Sequence, residues 1–166
     1  MDTYPSAFDA GQVCVELVDL MQPAAKENGN ALLFAPDNTL GAAFTDQRLL
    51  KQCLINLLSN ACKFTKDGRV TLRAERQGEE FVFQVCDTGI GMTPEQIAGL
   101  FTPFAQAGPD IRDRFGGSGL GLALTRELAR VLGGDVSVMS DPKFGSVLTL
   151  RVRASVREEM ASERAA

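Results

Sequence analysis

At 166 residues and 45% hydrophobic composition, the chain has the size of one ordinary domain and enough apolar side chain for a single buried core. A net charge of −4 argues against the basic footprint of a nucleic-acid binder, and no apolar run approaches the about 18 residues that span a bilayer. There is no histidine, which excludes imidazole-based triads and histidine-ligated zinc, and no signal-peptide pattern opens the chain. Cys14, Cys53, Cys62 and Cys86 lack CxxC spacing and lie inside apolar runs. They read as small core hydrophobes in a reducing cytoplasm.

Residues 1–11 read as polar and irregular, and Val13, Leu17, Leu20, Met21 and Ala24 then recur at helical spacing over 12–28. Short strands are expected over 30–35 and 41–44, separated by the turn signal Pro36-Asp37-Asn38. Asp46 is a good N-cap for a helix whose apolar stripe, Leu49, Leu50, Cys53, Leu54, Leu57, Leu58 and Ala61, continues to about Phe64. Residues 69–76 and 80–87 read as an antiparallel hairpin. A long glycine-rich stretch follows, holding one short helix over about 94–100; connections of this kind are more often functional than incidental. A helix over about 119–132 ends at Gly133-Gly134, and 135–140 and 146–153 form a last hairpin around Asp141-Pro142. The tail from Ala154 is polar.

Three groups of residues carry candidate chemistry. Asn56, Asn60 and Lys63 fall at i, i+4 and i+7, so two amides and an ammonium share one helix face. Asn offers a neutral oxygen to a hard cation and Lys a point charge to phosphate; the same three positions also describe the solvated face of any amphipathic helix. Asp87-Thr88-Gly89-Ile90-Gly91-Met92 follows a strand directly. Its carboxylate can accept a hydrogen bond from an exocyclic amine such as adenine's, while the glycines allow a tight turn beneath a ring; an ordinary strand-to-helix turn looks the same. Residues 115–122, FGGSGLGL, open a helix whose N-terminal N–H groups and dipole favour a polyphosphate, although a flexible linker is the plainer explanation. No GxxxxGK[ST] occurs, which excludes an ordinary P-loop.

Coincidence does not explain all three in this order. Residues 52–65, QCLINLLSNACKFT, resemble the N box of sensor histidine kinases, 87–92 their first glycine box, Phe101-Thr102-Pro103-Phe104 their F box and 115–122 their second glycine box. Gly133-Gly134 and Phe144-Gly145-Ser146 match as connectors, and the resemblance covers roughly residues 8–153. It implies an α+β, two-layer α/β sandwich of the Bergerat type: a mixed, roughly five-stranded sheet covered on one face by three helices, with a flexible ATP lid. It also implies ATP and Mg²⁺ as ligands. By that resemblance Asn60 coordinates the metal, Asn56 supports the metal and phosphate site, and Lys63 contacts phosphate. Asp87 binds the adenine amine, Gly89, Ile90 and Gly91 line the base pocket, and Phe64 packs near the ring. Gly117, Ser118, Gly119, Leu120, Gly121 and Leu122 belong to the nucleotide-binding run, with Ser118 to Gly121 capping the triphosphate. Residues 108–117 form the lid, with Arg112 and Arg114 as candidate contacts to the γ-phosphate. One departure is Asp113, where relatives with this kind of lid often carry a basic residue.

Residues 1–11 are then expected to be a remnant of the linker from a dimerisation and phosphoacceptor segment, 12–153 the catalytic domain, and 154–166 a polar tail. The expected partners are those phosphoacceptor helices and a response regulator or receiver domain, with no nucleic acid and no direct membrane contact. The isolated domain is expected to be a cytoplasmic monomer, and the full kinase a homodimer that other segments could anchor to a membrane. Competing readings within the superfamily are a serine-directed kinase of the anti-sigma type and a nucleotide-binding pseudokinase module.

Overall fold

The computed structural model describes residues 2–91, 93–99 and 121–153. The chain runs β1 (Ser6–Asp9), α1 (Ala10–Glu27), β2 (Ala31–Pro36), β3 (Ala42–Thr45), α2 (Gln47–Phe64), β4 (Arg69–Gln77), β5 (Glu80–Asp87), α3 (Pro94–Gly99), α4 (Gly121–Val131), β6 (Asp135–Asp141) and β7 (Gly145–Arg153). Both long helices start at an aspartate. Asp9 Oδ1 accepts the Gln12 N–H at 3.0 Å and Asp46 Oδ1 the Leu49 N–H at 3.2 Å, each satisfying a donor that the first helical turn leaves open. At α3, Thr93 and Gln96 exchange side-chain and backbone bonds in a capping box. Gly133, at φ +83°, ends α4, with the Gly133 and Gly134 N–H groups returning to the carbonyls of Arg130 and Ala129.

The main sheet has the order β2-β4-β5-β7-β6, with β2 parallel to β4 and every other neighbour antiparallel. α2 sits in the middle of the helical layer, against α1 on one side and α4 on the other, over β4 and β5. α1 covers β2 and α4 covers β6 and β7. The two-layer α+β arrangement, three helices on one face of a mixed five-stranded sheet, is thus present. Its core joins Leu50, Leu54, Leu57 and Leu58 to Val70, Leu72, Phe81, Phe83, Val85, Leu148, Leu150 and Val152, all at most 1% exposed. No described helix is long and apolar enough to cross a membrane.

Two expectations need correction, and the partners of β2 and β3 are settled by the fold. Residues 1–11 are not wholly irregular: Ser6–Asp9 form β1, which pairs antiparallel with β3 in a separate two-stranded sheet, and Asp9 starts α1 two residues early. β2 and β3 do not pair with each other. Arg76 Nη1 donates to the carbonyls of Leu40 (3.0 Å) and Ala42 (2.6 Å), and Asn38 bonds the Arg76 backbone in both directions, so the connection is fastened to the end of β4 while β3 departs toward β1. Cys86 is half-buried rather than a core residue, since it alternates outward on β5. Cys14 and Cys53 do behave as core hydrophobes, with burial pushing both thiols up to about 12.

Asp46 does double duty at the start of α2, because its Oδ2 also accepts the Tyr4 N–H at 2.9 Å. Burial opposes its ionisation, but the N–H groups of Tyr4 and Leu49 and the Arg48 guanidinium outweigh it and hold the carboxyl below the ordinary 3.8. A lowered value means the stabilisation is complete above pH 3.8 and is lost as pH falls through the folded-state pKa. Asp46→Ala is expected to cost about 1–2 kcal/mol at pH 7. Urea denaturation at pH 7 and at progressively lower pH checks this: the gap between the two proteins should shrink on acidification, and a pH-independent gap would contradict the ionised cap.

Candidate functional site

α2 separates two chemistries by rotation about its axis. Its leucines point into the core, Asn56 and Asn60 stand half-buried at the edge of the helical layer, and Lys63 is exposed. The C-terminal carbonyls of the helix are closed by two amides from the turn after α1. Asn28 Nδ2 donates to Cys62 O at 2.9 Å, and the buried Asn30 donates to Cys62 O at 3.2 Å and Thr65 O at 2.8 Å while accepting the Gly68 N–H at 3.0 Å. These residues position the candidate site, and sequence reasoning missed them. The available signal was Asn28-Gly29-Asn30, two amides flanking a glycine at φ +69°.

The turn after β5 docks on that helix end. The Ile90 N–H donates to Phe64 O at 3.3 Å, which joins the last residue of α2, Phe64, to the glycine turn. Gly89 has no room for a side chain, since a Cβ would meet Phe64 O, Thr65 Oγ1 at 2.8 Å and Asp87 Oδ1 at 3.0 Å. On the other flank a Cβ at Gly91 would run into Asp141 and Pro142, and one at Gly145 into the Asp87 carbonyl, so the β6–β7 turn clasps the same segment. The Ile90 side chain is 45% exposed, an apolar surface left uncovered beside these glycines.

Asp87 is 8% exposed and accepts the Gly89 N–H at 2.9 Å. Burial raises its pKa above the ordinary carboxylate value; the Gly89 and Ser146 N–H groups and the neighbouring Thr65 hydroxyl favour the ionised form without cancelling that effect. The Thr65 hydroxyl is itself buried and, among the described residues, makes no hydrogen bond of full geometry. A buried carboxylate with spare acceptor capacity beside a buried hydroxyl suits an amine donor on a flat ring.

The third element is the start of α4. Asn56 Nδ2 donates to Thr125 Oγ1 at 3.1 Å, and Thr125 Oγ1 donates to the carbonyl of Gly121 at 2.6 Å. Gly121 is therefore tied to the polar edge of α2. Leu122 is a core side chain at 9% exposure, so any contribution it makes to a ligand falls to its backbone. Met92, the F box, the lid over 108–117 with Arg112 and Arg114, and Gly117, Ser118, Gly119 and Leu120 lie outside the described residues.

Among the described residues no group of three His, Cys, Asp or Glu side chains could cage a metal. A Mg²⁺ carried by a nucleotide would need few protein ligands, since phosphate oxygens and water fill most of its octahedron and a protein amide can be a minor ligand. Asn60 fits that part, since among the described residues its side-chain amide makes no hydrogen bond. A cavity of about 620 Å³ lies against Tyr4, Arg48, Lys51 and Ile55 on the first half of α2, apart from the candidate residues. Among the described residues, convergence of buried polar groups marks the site.

The family model for histidine kinase-, DNA gyrase B- and HSP90-like ATPases matches residues 45–156. The chain is 45% identical over 146 residues to the circadian input-output histidine kinase CikA of Synechococcus elongatus, covering 86% of this chain and 19% of that protein. Its fold matches full-length ShkA in complex with AMPPNP at a TM-score of 0.83 and 30% identity, covering 93% of this chain and 32% of ShkA. It also matches the histidine kinase ThkA in complex with the response regulator TrrA, at a TM-score of 0.75 over 92% of this chain and 42% of that one; at 21% identity this likeness shows the fold alone. The chain spans less than half the length of each of these proteins.

The desolvation of Asp87 has a measurable signature. A raised carboxylate pKa means the folded state holds the proton more tightly than the unfolded chain, so this group stabilises most below pH 3.8 and less as pH rises through its raised value. Asp87→Asn removes that decline. The unfolding free energy of the variant relative to the parent is expected to rise between pH 4 and pH 7 in urea titrations without ligand, and a flat difference would show that the carboxylate is not desolvated.

Proposed function

Because the chain belongs to the histidine kinase-, DNA gyrase B- and HSP90-like ATPase family, we propose that it is the nucleotide-binding catalytic part of a sensor histidine kinase. What carries the reading is the junction of the Asn56, Asn60 and Lys63 face with the Asp87 turn through the Ile90–Phe64 hydrogen bond, in a chain of this family. In this reading Asp87 accepts the adenine amine, while Gly89, Ile90, Gly91 and Phe64 form the bed of the ring. Asn60 gives one oxygen to Mg²⁺, Asn56 supports the same site and Lys63 faces phosphate. Gly121 and Leu122 contribute backbone, together with Gly117, Ser118, Gly119, Leu120, Arg112 and Arg114 from the intervening glycine-rich segment. The metal supplies charge neutralisation on the phosphates. The chain's own share is binding, orientation and exclusion of water.

The reaction assigned to the whole protein is attack of a histidine nitrogen on the γ-phosphorus, with the bond to the β–γ bridging oxygen breaking and ADP leaving. No residue of this chain can be that nucleophile, since it contains no histidine. We assign the phosphoacceptor to a separate dimerisation segment, with the catalytic domain running from β1, which pairs with β3, to β7. A response regulator is then the downstream partner, as TrrA is for ThkA in their complex. A cytoplasmic location and a homodimeric full-length kinase complete the proposal.

Calorimetry is expected to show Mg·ATP binding by the isolated chain and its loss in folded Asn60→Ala protein. Incubation with γ-labelled ATP is expected to leave the chain unlabelled, while addition of a histidine-bearing phosphoacceptor segment yields an acid-labile, base-stable label. Transfer should be slow because tethering is absent. Unchanged Mg·ATP affinity in Asn60→Ala would remove the metal assignment. Stoichiometric labelling of the chain alone would replace the histidine kinase reading with the serine-directed one.

A further inference from the structure

We infer that Thr125 is a positioning residue, one that sets which end of the Asn56 amide faces the metal and phosphate side of the candidate site. The inference rests on the nucleotide reading of that site. Thr125 is 0% exposed within α4, and its hydroxyl donates to the carbonyl of Gly121, four residues back, at 2.6 Å. Such back-bonds commonly satisfy a buried helical hydroxyl, and here that need is met without any help from α2. The additional fact is the Asn56 amide, which reaches the same oxygen at 3.1 Å.

Proton counting turns this contact into a constraint. A hydroxyl has one proton, and a carbonyl can only accept, so Thr125 spends its proton on Gly121 and can only accept from Asn56. Asn56 must therefore present its NH₂ to Thr125, and its oxygen, the end able to bind a cation or a metal-bound water, is turned away from the α4 contact. Gln52 completes the chain from the other side, with Nε2 donating to Asn56 Oδ1 at 2.9 Å. Every donor in the series Gln52, Asn56, Thr125, Gly121 points the same way. Gln52 is exposed, and a carbonyl oxygen has two lone pairs, so Oδ1 keeps capacity for a further partner. A second tether, Cys53 Sγ to Thr125 O at 3.8 Å, holds the two helices in the register this requires. Without the Thr125 hydroxyl the remaining described partner is the exposed Gln52 amide, which can itself flip to accept instead of donate, so neither orientation of Asn56 is held and a flipped amide would aim NH₂ at the cation.

Thr125→Val keeps shape and burial but removes the hydroxyl, and Thr125→Ser retains it. Calorimetric titration of each with AMPPNP, in Mg²⁺ and in EDTA, gives the affinity gained from the metal, with thermal melts reporting the fold. Thr125→Val is expected to lose about 10- to 100-fold of the metal-dependent gain, the range for residues that orient metal ligands, while its EDTA affinity and melting temperature stay near the parent's. Thr125→Ser is expected to restore the gain. A full metal-dependent gain in Thr125→Val, or equal losses with and without Mg²⁺, overturns the inference, as does failure of Thr125→Ser to retain the gain. Should the valine protein not fold, hydrogen exchange of the Asn56 side-chain amide in the unaltered chain decides: slowed exchange supports the relay and solvent-like exchange overturns it. A parent chain that binds no nucleotide at all removes the nucleotide reading and this inference together. A parent that binds AMPPNP with a metal-dependent gain, beside an unaffected valine variant, removes this inference alone.

Discussion

The burial of four leucines on one side of α2 is the constraint on which the rest depends. Leu50, Leu54, Leu57 and Leu58 are all 0% exposed, so the rotation of the helix about its axis is decided by the core. Turning it by a single residue step would expose some of them, at about 1.5–3 kcal/mol per side chain, and push Lys63 toward the sheet. Asn56, Asn60 and Lys63 therefore owe their direction to packing forces that involve none of them. Core and candidate site are two sides of one decision.

The site itself is assembled from the ends of elements. The C-terminus of α2 and the turn after β5 bring carbonyls and N–H groups that regular structure leaves unpaired, and the first turn of α4 joins them through a side-chain hydroxyl. Asn28 and Asn30 close α2, Phe64 O takes the Ile90 N–H, and Gly121 O takes the Thr125 hydroxyl. Close approach at the β5 end depends on glycine: Gly89, Gly91 and Gly145 each stand where a Cβ would collide with backbone.

Two buried aspartates show how environment sorts identical groups. Asp46 and Asp87 both lose solvation and both gain two backbone donors, yet Asp46 also has the Arg48 guanidinium and is held ionised, whereas at Asp87 burial outweighs the Gly89, Ser146 and Thr65 donors and its pKa rises. Asp46 is consumed by structure, tying the N-terminal segment to α2. Asp87 keeps unspent acceptor capacity, which is the condition for reading a ligand.

Local order along the chain was legible from the sequence because it rests on short-range physics. The 3.6-residue period and the Asp46 cap defined α2, residues 69–76 and 80–87 read as the hairpin that β4 and β5 form, and the polar face and glycine boxes identified the family. Other features depended on contacts between residues far apart in the chain. That β2 runs parallel to β4 while β3 leaves to pair with β1 is settled by Arg76 and Asn38 bonding across the fold, and no local pattern encodes it. The capping of α2 by Asn28 and Asn30, more than thirty residues away, and the Asn56–Thr125 bond between two helices arise only once the sheet has placed those helices side by side. Sequence determined which groups the protein carries and on which face of each element they stand; the tertiary structure decided which of them meet, because a hydrogen bond needs partners at about 3 Å and only packing brings distant segments that close.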